Sequence, residues 1–589
     1  MKNYPRKIAT AIAAAFAALL LAGCAGTPSV REAIVRDPIV RDPIDIHLVA
    51  LNDFHGNLDA SKSRYPGAAS AGGIAAIGAA LQAWRLENPD LLLIGAGDLI
   101  GASPALSSLW ADEPSIVALN LLGMQVSSVG NHEFDAGRVE LLRQQHGGCV
   151  SPRLERACQL APTYGGANFT YLAANVIDSA TGQPLMPAYR ILQAGGIKVG
   201  FIGAVLKGTA TAVLASGIAG LDFIDEADAI NRVLPQLRAQ GVGVFVALIH
   251  EGGSTDEAFD QVDCSRLTGP IVGIVQRLDP AIRLVVSGHT HRGYTCRVDG
   301  RMVTQAGSAG QLLSRIALRV DVGKNAVLDV RARNIVMTAG AHPPDLSVDA
   351  YLDTVARRSA AALWRPIARL AVANVARSSA ASGQSALGDL VADAQLAATR
   401  TLGARISFMN NGGMRRDLEA GATVDGKLVT TYGQAQAVLP FGNTLVVMNL
   451  SGAQIRSLLE QQWLGAEALE HGVLQVSNGF GYAWDGARPF GARVVPGSIM
   501  LDGKPLVDTE LYRVALNNFL AEGGDKFTVF AAGSERIDSG ILDIDALQDY
   551  LARQDQAGKP AGGPQPQARI VRVRQGISKH QQPVKGSEE

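Results

Sequence analysis

The chain has 589 residues, more than one ordinary domain holds, and is 47% apolar and 18% charged, which excludes a low-complexity or disordered protein. Its net charge of −1 excludes a broad basic surface, so no nucleic-acid partner is expected. A small anionic substrate would have to meet local positive charge, from metal ions or a few arginines.

In chain order, Lys2, Arg6 and Lys7 precede an apolar run from Ile8 to Ala22 that ends in Leu21-Ala22-Gly23-Cys24. The run is short for a membrane span, and its order of charged, apolar and small residues is that of an export signal. The ending resembles a bacterial lipoprotein signal. That implies a signal peptide over 1–23, attachment to a membrane through lipidated Cys24, and a place in the bacterial cell envelope, on the outer membrane facing the periplasm or on the cell surface. Residues 24–43 carry Val35-Arg36-Asp37-Pro38 and Val40-Arg41-Asp42-Pro43, a tandem that reads as a tether. Cys149, Cys158, Cys264 and Cys296 remain, an even number for an oxidising compartment. Three pairings are open; Cys149–Cys158, closing a short loop, and Cys264–Cys296 are favoured.

From residue 44 apolar runs end repeatedly in chemically capable residues. Ile44–Leu51 leads to Asn52-Asp53-Phe54-His55-Gly56, and Leu91–Ala96 leads to Gly97-Asp98. Another apolar run precedes Gly130-Asn131-His132-Glu133-Phe134-Asp135. Val242–Ile249 leads to His250, and Ile282–Val286 to Ser287-Gly288-His289-Thr290-His291. Helical stretches such as Gly73–Glu87 and Ala227–Gln240 lie between. Buried strands alternating with helices predict an α/β layered domain with its chemistry at the strand ends. Near 343–370 the character changes: Pro343-Pro344 precede a helical stretch, Val348–Arg369, read as a connector over 341–369. A second folded region is expected over 370–556. A tail over 557–589, rich in Gln, Pro, Gly and Lys, is expected to be disordered apart from Ala568–Val573.

Five of the ten histidines, His55, His132, His250, His289 and His291, sit at or just beyond apolar runs, with Asp53, Asp98 and Asn131. Any one alone would read as a hydrogen-bonded loop residue. Together, imidazole and oxygen donors without thiolate suit zinc, manganese, cobalt or iron, and their number suits two ions rather than one.

These motifs resemble, in order and spacing, the calcineurin-like metallophosphoesterase set. Asn410-Asn411-Gly412-Gly413-Met414-Arg415, Pro440-Phe441-Gly442-Asn443 and Phe519 to Asp525 narrow the resemblance to the 5′-nucleotidase family, over roughly residues 45–555. That family implies a four-layer sandwich, two β-sheets flanked by helices, over 44–340, followed by a separate α/β substrate-binding domain. It also implies two divalent ions, one held by Asp53, His55, Asp98 and His291, the other by Asp98, Asn131, His250 and His289. His132 would face the phosphate without binding metal, and Asp135 would hold its imidazole. Arg377, Asn410 and Arg415 would grip the phosphate or groups beside it, Phe441 and Phe519 would sandwich a nucleobase, and Asn443 and Asp525 would lie near base and ribose. Close relatives carry a further arginine where this chain reads Ser378 to Gln384, and that grip is expected to be missing. The implied activity is hydrolysis of a nucleoside 5′-phosphate to nucleoside and phosphate by metal-activated water. Rival readings are a 2′,3′-cyclic nucleotide phosphodiesterase, a UDP-sugar diphosphatase, a sulfur-ester hydrolase, and a nucleotide-binding lipoprotein without turnover.

Overall fold

The computed structural model describes residues 42–422, 426–463, 472–563 and 568–573. The signal segment, Cys24, the tether up to residue 41 and the tail beyond 573 lie outside the described residues. Two six-stranded sheets form the first domain. In one, Ile44–Leu51 runs parallel to Leu92–Ala96, which runs parallel to Met124–Ser128, with the antiparallel Leu312–Asp321 and Ala326–Val336 on the other side. In the other, Val244–His250 lies between Ile197–Val205 and Ile282–Ser287, all parallel.

The strands are buried on both faces, which is why they read as unbroken apolar runs rather than alternating ones. Ile46, Leu48 and Ala50 pack against Val244, Val246 and Leu248 between the sheets. The intervening Val49 and Leu51 pack outward on helix Ile74–Glu87, and Phe245, Ala247 and Ile249 pack outward on helices Glu226–Ala239 and Pro270–Arg277. Period-two side chains on two stacked sheets, each covered by helices, make the four layers. Both disulfides, Cys149–Cys158 and Cys264–Cys296, pair as favoured.

The Cys149–Cys158 loop sits over a buried charge cluster that fixes helix Gly137–His146, which begins two residues after Asp135. Arg143 reaches Glu140 and Glu113, each at 2.7 Å, and Arg153 from the loop reaches Glu140 and Asp112, each at 2.8 Å. Burial opposes ionisation of Glu140, yet the two guanidiniums and Ser151 hold its carboxyl down at about 2, against an ordinary 4.5. The stabilisation is therefore complete above about pH 4.5 and is lost as pH falls through the folded value, a difference of roughly 3 kcal/mol. Glu140→Gln is expected to lower the denaturation midpoint at pH 7. In chelator, the gap from the parent should close between pH 4.5 and pH 2. A gap independent of pH would contradict the ion-pair origin.

Helix Leu346–Leu363 starts earlier than expected because Asp345 caps it, accepting from the N–H groups of Ser347 and Val348. It also ends earlier: Pro366–Arg369 is already a strand, paired antiparallel with Leu428–Thr431. Arg365, preceding a proline, is disfavoured in helical conformation. Val348 and Val355 pack on the first domain's core, and Ser359 accepts from the Trp110 indole at 2.8 Å. The second domain is built on a five-stranded sheet, ordered Gln475–Val476, Ile406–Met409, Leu511–Asn517, Thr444–Ser451, Ser534–Leu542. The Ala568–Val573 stretch contains a strand, Ile570–Arg572, parallel to Phe480–Trp484, because Ile570 enters the second domain's core. Among the described residues no helix is long and apolar enough to cross a membrane.

Candidate metal centre and arginine pocket

The C-terminal ends of the parallel strands of both sheets converge. Asp53 and His55 follow Leu51, Asp98 follows Ala96, and Asn131 and His132 follow Ser128. His250 closes its strand, and His289 and His291 follow Ser287. The chain thereby brings together all seven residues expected to bind metal, in two groups: Asp53, His55 and His291; and Asp98, His250 and His289, with Asn131. Asp98 joins them, its Oδ2 lying 3.0 Å from His250 Nε2 and 3.7 Å from His55 Nε2.

The donor atoms suit cations. His55 Nδ1 lies 3.0 Å from the Gly101 carbonyl, and His250 Nδ1 lies 2.8 Å from that of Ala96. Each carbonyl can only accept, so it draws the ring proton to Nδ1 and leaves a lone pair on Nε2 aimed inward. His55 Nε2 then meets His291 Nε2 at 3.0 Å, while His250 Nε2 and His289 Nδ1 meet Asn131 Oδ1 at 3.2 and 3.1 Å. Burial opposes charge on Asp98, but His250, His132 and His55 hold its carboxyl well below the usual range. Lone pairs and carboxylates facing one another in a dry site are what a divalent ion satisfies.

The backbone is bent to make this arrangement. Asp53, His55, Asp98, His289 and His291 all have positive φ, between 47° and 71°, a region that costs a non-glycine residue roughly 1–2 kcal/mol. Gly130 has no room for a side chain, since a Cβ there would lie 2.2 Å from Asp98 Oδ1. Behind the ligands, Glu133 accepts the backbone N–H groups of Gly130, Leu99, Asp98 and Ile100 at 2.5, 2.7, 2.9 and 3.3 Å. Burial and the neighbouring Asp98 push its carboxyl up to about 7. This carboxylate ties the loop holding Asp98 to the loop holding Asn131.

His132 and Asp135 stand at either end of a single helical turn, which brings Nδ1 to 2.9 Å from Asp135 Oδ2. The His132 N–H donates to Asp98 Oδ1 at 2.8 Å. Burial would lower the imidazole's pKa, but Asp135 and Asp98 raise it above its ordinary value. Phe441, from the second domain, stacks on His132 with ring centroids 5.7 Å apart, and the Arg415 guanidinium lies 5.8 Å from the Phe441 centroid.

Four further expected residues divide. Asn410 donates to Asp525 at 2.7 Å and accepts from Asn517 at 3.1 Å, so these two form one polar patch. Phe519 lies against Gly524, beside Asp525, and among the described residues its ring stacks on no other ring. The Asn443 side chain bonds to Asp543, whose N–H donates to the Asn443 carbonyl at 2.8 Å. The buried carboxyl of Asp543 draws it into the domain.

A cavity of about 130 Å³ opens beside His55 and His291, lined by Arg64, Arg377, Arg415 and Arg416. Arg377 and Arg415 were expected, with Arg416 the adjacent alternative to Arg415; Arg64 was not. Arg416 donates to Asn57 of the first domain, and Arg64 Nη1 donates to Ser308 at 2.8 Å.

Two family models match the chain: calcineurin-like phosphoesterase over residues 46–293, and 5′-nucleotidase, C-terminal domain over 366–532. The chain is 27% identical over 519 residues to endonuclease YhcR of Bacillus subtilis (strain 168), covering 87% of this chain but only 40% of that protein. It is 25% identical over 524 residues to protein UshA of Yersinia enterocolitica, covering 82% of this chain and 86% of that one. The crystal structure of a 5′-nucleotidase precursor from Thermus thermophilus superposes with a TM-score of 0.71 at 26% identity, over 90% of this chain and 100% of that chain.

Proposed function

The chain belongs to the 5′-nucleotidase family, a metal-dependent phosphoester hydrolase with a calcineurin-like phosphoesterase domain and a 5′-nucleotidase C-terminal domain, and on that footing we propose that it hydrolyses nucleotides outside the cytoplasm. The proposed reaction is nucleoside 5′-phosphate plus water to nucleoside plus phosphate, by a protein anchored to the envelope through Cys24. What carries this reading is the placement of two cation-ready groups, joined by Asp98, beside arginines of the second domain.

Asp53, His55, Asp98 and His291 would hold one ion, and Asp98, Asn131, His250 and His289 the other. Such ions, when bound, lower the pKa of water and neutralise charge on phosphate. The protein's own groups do the rest. The Gly101 and Ala96 carbonyls keep His55 and His250 in the tautomer that turns a lone pair inward. Arg415, half-buried beside the metal-bearing residues, and Arg377 present planar forks that match phosphate oxygens. Asp135 fixes His132 Nδ1, leaving Nε2 to hold a proton for the leaving oxygen. Phe441 covers that imidazole and excludes water from one face.

A phosphate-release panel tests the reading, using protein without residues 1–24 and nucleoside mono-, di- and triphosphates, 2′,3′-cyclic nucleotides and UDP-glucose. Release is expected from 5′-nucleotides, abolished by chelator and restored by manganese, zinc or cobalt. Cyclic nucleotides opened to nucleoside monophosphates, or UDP-glucose split to UMP and glucose 1-phosphate, with no phosphate released from 5′-nucleotides, would move the assignment to those esters, read by chromatography of the products. Cleavage of none would end it.

A further inference from the structure

The arginine cavity holds more positive charge than one reacting phosphate requires. Arg377 and Arg415 are enough to fork one phosphate, yet Arg64 and Arg416 line the same space from opposite domains. Arg64 rises from the loop between the short strands Ser61–Lys62 and Ser70–Ala71. It is fixed to the metal-bearing domain by its N–H to Gln311 Oε1 at 3.0 Å and its Nη1 to Ser308 at 2.8 Å. Arg416 is anchored through Asn57. Among the described residues none of the four guanidiniums is in an ion pair, and Arg377 Nε is buried without a hydrogen-bond partner. Clustered guanidiniums repel one another: burial comes first in lowering Arg377 and Arg416, then Arg415 and Arg64 lower Arg377 and Arg64 lowers Arg416, with Asp417 and Glu419 only partly opposing. Such an arrangement is relieved by an anion. The space equals roughly four water volumes, room for a tetrahedral oxyanion beside His55 and His291. Phe441 lies outside it.

We propose that Arg64 and Arg416 form a second anion subsite, which takes an additional phosphate of the same substrate and favours nucleoside di- and triphosphates over monophosphates. This rests on the reading above for the reacting phosphate.

The probes are inorganic pyrophosphate and orthophosphate, titrated calorimetrically into manganese-loaded protein and used as inhibitors of phosphate release. Arg64→Ala is expected to weaken pyrophosphate by ~10- to 100-fold while orthophosphate changes less than about threefold, and Arg64→Lys should recover part of the loss. Arg64 is exposed on its loop, so the variants should fold. Equal losses for both probes would assign Arg64 to the reacting phosphate and overturn the proposal, as would no loss for either. Calorimetry keeps the two readings apart. If the parent protein hydrolyses no nucleotide, the proposed function fails, while selective loss of pyrophosphate in Arg64→Ala still reports the subsite.

Discussion

Asp98→Asn is expected to cut phosphate release by roughly 10³-fold or more and to strip divalent metal from both groups, not from one. Asp98 is the carboxylate common to the two groups: Oδ2 approaches His250 and His55, and Oδ1 receives the His132 N–H. Asparagine keeps the volume and can keep the His132 contact through its Oδ1, but it removes the charge that both groups share. Metal content by mass spectrometry, measured beside turnover, checks this. A variant that retained both ions, or lost one only, would show that Asp98 does not bridge.

The second large effect separates binding from chemistry. His132→Ala is expected to keep both ions and lose about 10²–10⁴ in kcat. Its neighbour Asn131→Ala should instead weaken the ion held with His250 and His289, since Asn131 Oδ1 faces both rings at 3.2 and 3.1 Å. His132 lies close enough to His55 and Asp98 to form a third possible ligand group, so this contrast is a real test. Loss of metal from His132→Ala would make that imidazole a ligand and leave the leaving-group role vacant. With the roles as assigned, Asp135→Asn should damage turnover less than His132→Ala, because it misorients the ring without removing it.

Much of the metal site was legible in the sequence for a simple reason. Strands buried on both faces show as continuous apolar runs, and in parallel sheets the residues just past those runs gather at one edge. Ile44–Leu51 with Asp53 and His55, and Ile282–Ser287 with His289 and His291, are read almost residue by residue. The His132–Asp135 pair is local, one helical turn, and needs no tertiary knowledge. What was not legible depends on distant partners. Arg64 acquires its place from Ser308 and Gln311, 244 and 247 residues away, and nothing in its own loop marks it. Asn443 is claimed by Asp543, and Phe441 by His132 across the domain boundary. The start of helix Leu346–Leu363 escapes an apolar-pattern reading because its cap, Asp345, stands ahead of the first buried position, Val348.

The five left-handed residues at the strand ends carry a last implication, about how this chain can change. Each would relax if it became glycine, and each would then cease to offer a donor atom. At these positions the substitutions that relieve the backbone are the ones that empty the site, so the bend is kept for the donor atoms it presents. Gains in robustness must therefore come from far away, in places such as the Glu140 cluster or the sheet-to-sheet core. The strand ends are the part of the molecule least free to drift toward a more comfortable backbone.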